Sequence, residues 1–364
     1  LRALLIPLVL LGLLLGGAET LTGSAQTADT GQVAIAAQDG NIYLYDLASD
    51  ETTPLTDDAV SGSKAYSWPT WSNDGRLAFF GSSRVPDDQY QFGIFIQNAA
   101  GAIERIYTSA DEFFTYASWA PADCPVGNCR DLAVLYTAAS GNLALRRVRV
   151  DGEVTIEELS EGGPHYWDWS PDGASMLWAR FGTELSIYDA DSNAISETFN
   201  DRLGFQRAVD WSPTDDRMLA AVRAPGRRND LMIFEDGERL VLAEGFPGLV
   251  SFEWSPDGTK VAYLDEQRAR PTVADARTGE AIATAPHDAF AFFWAPDSTR
   301  LAYLTITQIE GSGDVLASYQ GTVPRLQWVV FSPESGNSAR LAAFLPSRET
   351  IYYLRFFDQF ARSH

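Results

Sequence analysis

The chain is poor in the residues that build metal and redox centres: its 364 residues include only 2 Cys, 3 His and 3 Met. That supply is too small for a histidine- or thiolate-rich centre of the usual ligand count, so zinc, haem and iron–sulfur chemistry are not expected and no metal or cofactor is assigned. Basic residues are scarce as well, 27 Lys+Arg against 49 Asp+Glu, for a net charge of −22. A surface of that sign repels phosphate backbones and anionic membranes within a Debye length, which excludes nucleic acid as a partner. Acidity also keeps soluble proteins apart, so the charge names no partner by itself. A Gly-x-Ser-x-Gly nucleophile elbow is missing too. The nearest string, Gly311-Ser312-Gly313, reads as a turn in a polar loop. No catalytic residue is assigned, and a non-enzyme is expected.

What is present points to a large core, since 45% of residues are hydrophobic and 12% aromatic. Residues 3–18 form an apolar run preceded by Arg2 and followed by small and polar residues, which is the grammar of a secretory signal. Small residues allow cleavage after Ala18 or Ala25, and no cysteine follows to take a lipid. Residues 1–25 are therefore expected to be a signal peptide and the mature protein to be periplasmic or secreted. A retained anchor is the alternative, although 16 residues with an internal proline fall short of the roughly 20 that a spanning helix needs. In an oxidising compartment Cys124 and Cys129 could close the six-residue loop that they bound as a disulfide.

The most informative feature is self-similarity. Trp71-Ser-Asn-Asp-Gly75, Trp169-Ser-Pro-Asp-Gly173, Trp211-Ser-Pro-Thr-Asp215, Trp254-Ser-Pro-Asp-Gly258 and Trp294-Ala-Pro-Asp-Ser298 are versions of one unit, and Trp119-Ala-Pro-Ala-Asp123 is a sixth. Successive tryptophans lie 48, 50, 42, 43 and 40 residues apart, the period of four-stranded propeller blades. Each motif has turn chemistry: proline presets φ, aspartate bonds nearby N–H groups and glycine accepts a positive φ. A buried strand follows each, such as Leu77-Ala-Phe-Phe80 or Val261-Ala-Tyr-Leu264, and then a third strand. Seven third strands but six tryptophan turns mean that the first blade lacks its first strand and turn. The β-prone residues 350–360 are expected to pair there and close the ring. The chain ends at His364 about where a seventh turn is due, so the native protein is expected to continue.

On these motifs the sequence resembles the extracytoplasmic TolB-like family of WD40-like repeat propellers. The resemblance implies an all-β, seven-bladed β-propeller over residues 32–364, with six or eight blades as alternatives because residues 305–325 leave one blade poorly defined. Such propellers resemble binding scaffolds of the cell envelope, sugar-associated domains and the gating propellers of prolyl-oligopeptidase-like enzymes. No separate N-terminal α/β domain precedes the repeats, a departure from TolB itself.

The resulting expectation is an exported, monomeric, noncatalytic scaffold that binds a protein, small-molecule or glycan ligand through its loops. Two rivals are a gating or targeting domain of a larger hydrolase and a carbohydrate-binding or processing propeller. His165, Trp167, Arg227, Arg228 and His287 sit near strand ends and are the candidate ligand or partner contacts. Trp71, Trp119, Trp169, Trp211, Trp254 and Trp294 recur once per unit and are expected to pack between blades, whereas Trp68 and Trp167 break the pattern and are the aromatic candidates for stacking on a sugar. The adjacent acids Asp57-Asp58, Asp87-Asp88, Asp111-Glu112 and Asp215-Asp216 read as solvated turns. The window from Asp189 to Asn193 lacks the glycine and glutamate of a calcium loop and reads as a hairpin.

Overall fold

The computed structural model describes residues 32–344 except 38, 47–50, 73, 99, 122–130, 151–152, 163–165, 182, 205–208, 248–249, 266–268, 290, 296 and 311–321. The fold is all-β and its strands follow the blade pattern of a seven-bladed β-propeller. The chain forms two compact units divided between Asn200 and Asp201.

The unit up to Asn200 carries four antiparallel sheets in chain order. Sheet 1 holds β1 (Gln32–Ala36), β2 (Ile42–Asp46) and β3 (Glu51–Pro54). Sheet 2 holds β4 (Lys64–Trp71), β5 (Leu77–Arg84), β6 (Tyr90–Gln97) and β7 (Ile103–Ser109). Sheet 3 holds β8 (Phe113–Trp119), β9 (Asp131–Thr137), β10 (Leu143–Arg149) and β11 (Thr155–Glu161). Sheet 4 holds β12 (Tyr166–Trp169), β13 (Ser175–Arg180), β14 (Glu184–Asp189) and β15 (Ala194–Arg202). The other unit carries sheet 5, with β16 (Val209–Trp211), β17 (Met218–Ala224), β18 (Arg228–Glu235) and β19 (Glu238–Phe246). Sheet 6 has β20 (Val250–Trp254), β21 (Lys260–Asp265), β22 (Thr272–Asp275) and β23 (Ala281–Thr284), and sheet 7 has β24 (Ala291–Trp294), β25 (Leu301–Glu310), β26 (Thr322–Ser332) and β27 (Asn337–Phe344). Sheet 1 has three strands among the described residues and the others four, the shortfall that the count of tryptophan turns predicts.

Burial explains why these segments are strands. Second strands such as β5 and β17 begin with apolar runs, Leu77–Phe80 and Met218–Val222, because both faces are covered there. Fourth strands such as β7 and β15 are mostly polar and face water. Within each unit the cores lie between successive sheets. Ala34, Ile42 and Leu44 of sheet 1 meet Tyr66, Leu77 and Phe79 of sheet 2. In the second unit Leu231 and Ile233 of sheet 5 meet Trp254 and Val261 of sheet 6.

The repeat motif closes its turn by hydrogen bonds. In sheet 6 Gly258 N donates to the Ser255 carbonyl at 2.8 Å, and Ser255 Oγ donates to Asp257 Oδ1 at 2.6 Å. Gly258 has φ +65°, and a Cβ there would sit 2.2 Å from Thr214 Oγ1 of the preceding turn. Sheet 7 has Ser298 at the same place with φ 58°. Its hydroxyl accepts from Asp257 N at 3.0 Å, which accounts for a side chain where the repeat otherwise favours glycine.

The tryptophans link neighbouring sheets through their indole N–H groups. Trp119 donates to the Thr70 carbonyl at 3.0 Å, Trp254 to Asp210 at 3.3 Å and Trp294 to Glu253 at 3.3 Å, each acceptor being the residue before the preceding motif tryptophan. Trp211 instead donates to Asp215 within its own turn at 3.2 Å.

Candidate functional site

The two ends of each sheet differ. One end carries the tryptophan turns, which their own Ser, Asp and Gly groups close. The opposite end carries the turn between second and third strands and the connection to the next sheet. In the unit up to Asn200 this connection end gathers exposed apolar side chains: Val60 at 56% exposure, Tyr90 at 42%, Phe113 at 51%, Tyr166 at 46% and Phe181 at 50%. Several are held in place. Tyr90 stacks on Phe92 at 6.3 Å between ring centres, and Phe92 meets Phe113 edge-on at 5.4 Å. The Arg180 guanidinium lies 5.3 Å from the Phe181 ring, and a Cβ on Gly162 would come within 3.0 Å of that ring.

At the same end sheet 2 opens into a groove of about 170 Å³. Its floor comes from register, since Gly81 of β5 stands directly opposite Gly93 of β6. A side chain at either position would have to displace the Phe95 ring. A Cβ on Gly81 would lie 2.6 Å from Phe95 Cε2 and one on Gly93 3.0 Å from the same atom. Tyr66 and Phe95 form the apolar wall, edge to face at 5.6 Å. Lys64 and Arg105 stand at the rim with Ser83 and Gln91. Asp58 pairs with Lys64 and accepts from Tyr66 Oη at 2.8 Å, which together hold its carboxyl below the ordinary value of 3.8. Arg105 is exposed and has no carboxylate partner among the described residues.

The sequence candidates are scattered over the two units. Trp167 is 6% exposed, and its indole donates to Ser118 Oγ at 2.8 Å. Its ring meets Tyr116 at 4.9 Å, and Tyr116 meets Trp68 at 5.0 Å, so the two tryptophans that break the repeat belong to one aromatic row across sheets 2, 3 and 4. Tyr166, one residue earlier, points outward. In the second unit Arg227 occupies the left-handed tip of the hairpin between β17 and β18, with φ 59°. Arg228 donates to the Gly245 carbonyl at 2.9 Å. His287, exposed on the connection to sheet 7, has Nδ1 2.8 Å from Tyr303 Oη, while burial pushes that phenol up to about 12. Cys124, Cys129 and His165 lie outside the described residues, as do residues 350–360.

Three of the adjacent acid pairs each give one carboxylate to a separate network. Glu112 takes two hydrogen bonds from Arg146, at 2.7 and 2.9 Å. Asp215 pairs with Arg217 at 2.8 Å, and Asp58 with Lys64. Asp189 Oδ1 accepts from the N–H groups of Asp191 and Ser192, at 3.1 and 2.7 Å, in a hairpin turn. Among the described residues no three His, Cys, Asp or Glu side chains converge as metal ligands. Sequence reasoning missed Phe113, Tyr166 and the groove. Alternation along β12 is the signal that would have separated Tyr166 from Trp167, whereas the groove depends on a register that no local pattern reveals.

No protein-family model matches the chain, and no curated protein matches it. Solved structures do. Dipeptidyl peptidase 4 of Porphyromonas gingivalis aligns with a TM-score of 0.52 at 14% identity, over 85% of this chain and 51% of that one. This chain thus spans about half the length of that peptidase. A candidate 6-phosphogluconolactonase of Bacteroides fragilis aligns with a TM-score of 0.52 at 14% identity, over 89% of this chain and 98% of that one. At such identities the likeness establishes the propeller fold and nothing finer.

Proposed function

We propose that the chain is an exported, noncatalytic, TolB-like propeller acting as a protein- or ligand-binding scaffold, and that it binds through the connection end of its sheets. The observation that carries this reading is the clustering of Val60, Tyr90, Phe113, Tyr166 and Phe181 at that end, beside the groove of sheet 2. Exposed aromatic groups held on a rigid sheet desolvate on contact with little loss of side-chain freedom. The net charge of −22 selects partners without phosphate backbones. After signal cleavage the mature protein works outside the cytoplasm as a monomer with no membrane insertion.

The test is a photoreactive phenylalanine analogue placed at Phe113, Tyr166 or, as a control, Ile156 on the fourth strand of sheet 3, with irradiation of the cells that make the protein. The reading expects one adduct of defined mass from positions 113 and 166 and none from 156. Identical labelling at all three positions, or none at 113 and 166, removes it.

A second reading is a gating or targeting propeller of a larger hydrolase. Alignment with only 51% of the Porphyromonas gingivalis peptidase chain favours it. The intact mass of the native secreted protein separates the two, since a catalytic domain would add roughly 100 residues or more.

A further inference from the structure

We propose that the groove of sheet 2 is a binding site for a small carboxylate carried on a flat apolar body, such as an aromatic acid or the C-terminal aromatic residue of a peptide. This deepens the scaffold reading and rests on it. The argument starts from the opposed glycines. In a sheet face the side chains of a directly opposed pair normally fill the space above the strands. Gly81 and Gly93 free that space for the Phe95 ring, whose Cε2 stands 2.6 and 3.0 Å from where their Cβ atoms would be, with Tyr66 edge-on to the ring at 5.6 Å. The result is a groove beside that ring, walled by the aromatic carbon of Tyr66, Phe92 and Phe95, a shape that accepts a planar group.

Size and charge narrow the ligand. At about 170 Å³ the groove is below the roughly 300–1,000 Å³ of sites for drug-sized molecules, so it holds one residue-sized group. Two cations stand at its rim in a chain with a net charge of −22. Lys64 is already neutralised by Asp58. Arg105 is not neutralised, and its Cδ passes 3.3 Å from where a Gly93 Cβ would be, so the side-chain stem lies against the floor of the groove. A guanidinium there can grip a carboxylate in two-point fashion, with the Gln91 amide and Ser83 hydroxyl as further polar groups at the rim.

The probe is phenylacetate, titrated calorimetrically into the full chain beside its neutral counterpart phenylacetamide. The proposal expects one phenylacetate per chain, with the amide at least tenfold weaker. Arg105→Gln, an exposed substitution, should weaken phenylacetate at least tenfold and leave the amide unchanged. Gly93→Ala should weaken both by displacing the Phe95 ring and the Arg105 stem, which lie 3.0 and 3.3 Å from its Cβ position. N-acetyl-glycyl-phenylalanine and its C-terminal amide separate the two sources: a peptide acid tighter than phenylacetate identifies a peptide terminus, and the reverse identifies a free acid. No saturable binding of phenylacetate to the folded wild-type chain overturns the proposal, as does equal binding by Arg105→Gln. Either failure together with site-dependent labelling at positions 113 and 166 rejects the groove's ligand and spares the scaffold reading. Loss of that labelling rejects the scaffold.

Discussion

The Arg217 guanidinium lies 4.9 Å from the centre of the Trp254 ring, one sheet further along the chain. Arg76 stands in the same relation to Trp119, at 4.6 Å. In these two sheets the arginine just after a motif turn covers the next motif tryptophan. Arg217 also donates to the carbonyls of Ala276, at 3.0 Å, and Gly258, at 2.6 Å, and grips Asp215. It therefore ties the turn of sheet 5 to two segments of sheet 6.

Removing it should be costly. Arg217→Ala leaves two buried carbonyls without a donor, and we expect a loss of about 2–3 kcal/mol in urea unfolding. Arg217→Lys should recover only part, because an ammonium cannot reproduce the planar fork. Arg223→Ala, exposed on the same sheet, should stay within about 0.5 kcal/mol of wild type. Equal effects at 217 and 223 would refute this account of the turn.

A buried cation in the other unit allows a sharper experiment. Arg146 lies 3.7 Å from the centre of the Tyr136 ring and holds Glu112 with both terminal nitrogens. Glu112→Ala leaves a buried guanidinium uncompensated and should cost about 3 kcal/mol. The double variant Arg146→Met with Glu112→Leu removes both charges and should restore most of that loss. If the double variant is as destabilised as Glu112→Ala, the pair is a net source of stability over its apolar replacement.

These networks show what the sequence could and could not disclose. Each tryptophan turn carries its own chemistry within five residues, so six of the seven sheets were legible from Trp-Ser-Pro-Asp-Gly alone. The three-stranded first sheet followed from counting. Arg146, Glu112 and Tyr136 come from two strands and a connection, and only the pairing of β8, β9 and β10 brings them together. The same holds for Gly81 and Gly93, which look like unrelated glycines until β5 and β6 are in register. Trp167 looked like a candidate because it interrupts a repeat, yet along β12 it faces inward and Tyr166 faces out.

Acid should weaken the motif turns. Burial raises the Asp257 carboxyl, but hydrogen bonds from Ser255 and Thr259 outweigh it and hold the group below its ordinary 3.8. Burial is likewise outweighed at Asp215 by Arg217 and Ser212, and at Asp297 by Thr299 and Arg300. A carboxyl depressed in the folded state contributes fully above its unfolded pKa and loses that contribution as the pH falls through the folded value. Urea midpoints should therefore be insensitive to these groups above about pH 5 and decline below about pH 4. Asp257→Asn should make the decline shallower, and an unchanged slope would exclude a contribution from that turn.

The left-handed position of the motif gives opposite expectations in adjacent sheets. Gly258→Ala meets both a φ of +65° and Thr214 Oγ1 at 2.2 Å, and should cost at least about 1 kcal/mol. Ser298→Gly relieves a φ of 58° but loses the bond to Asp257 N, so it should lie within about 1 kcal/mol of wild type. Thermal midpoints of the two variants check this, and a larger loss at 298 than at 258 would contradict it.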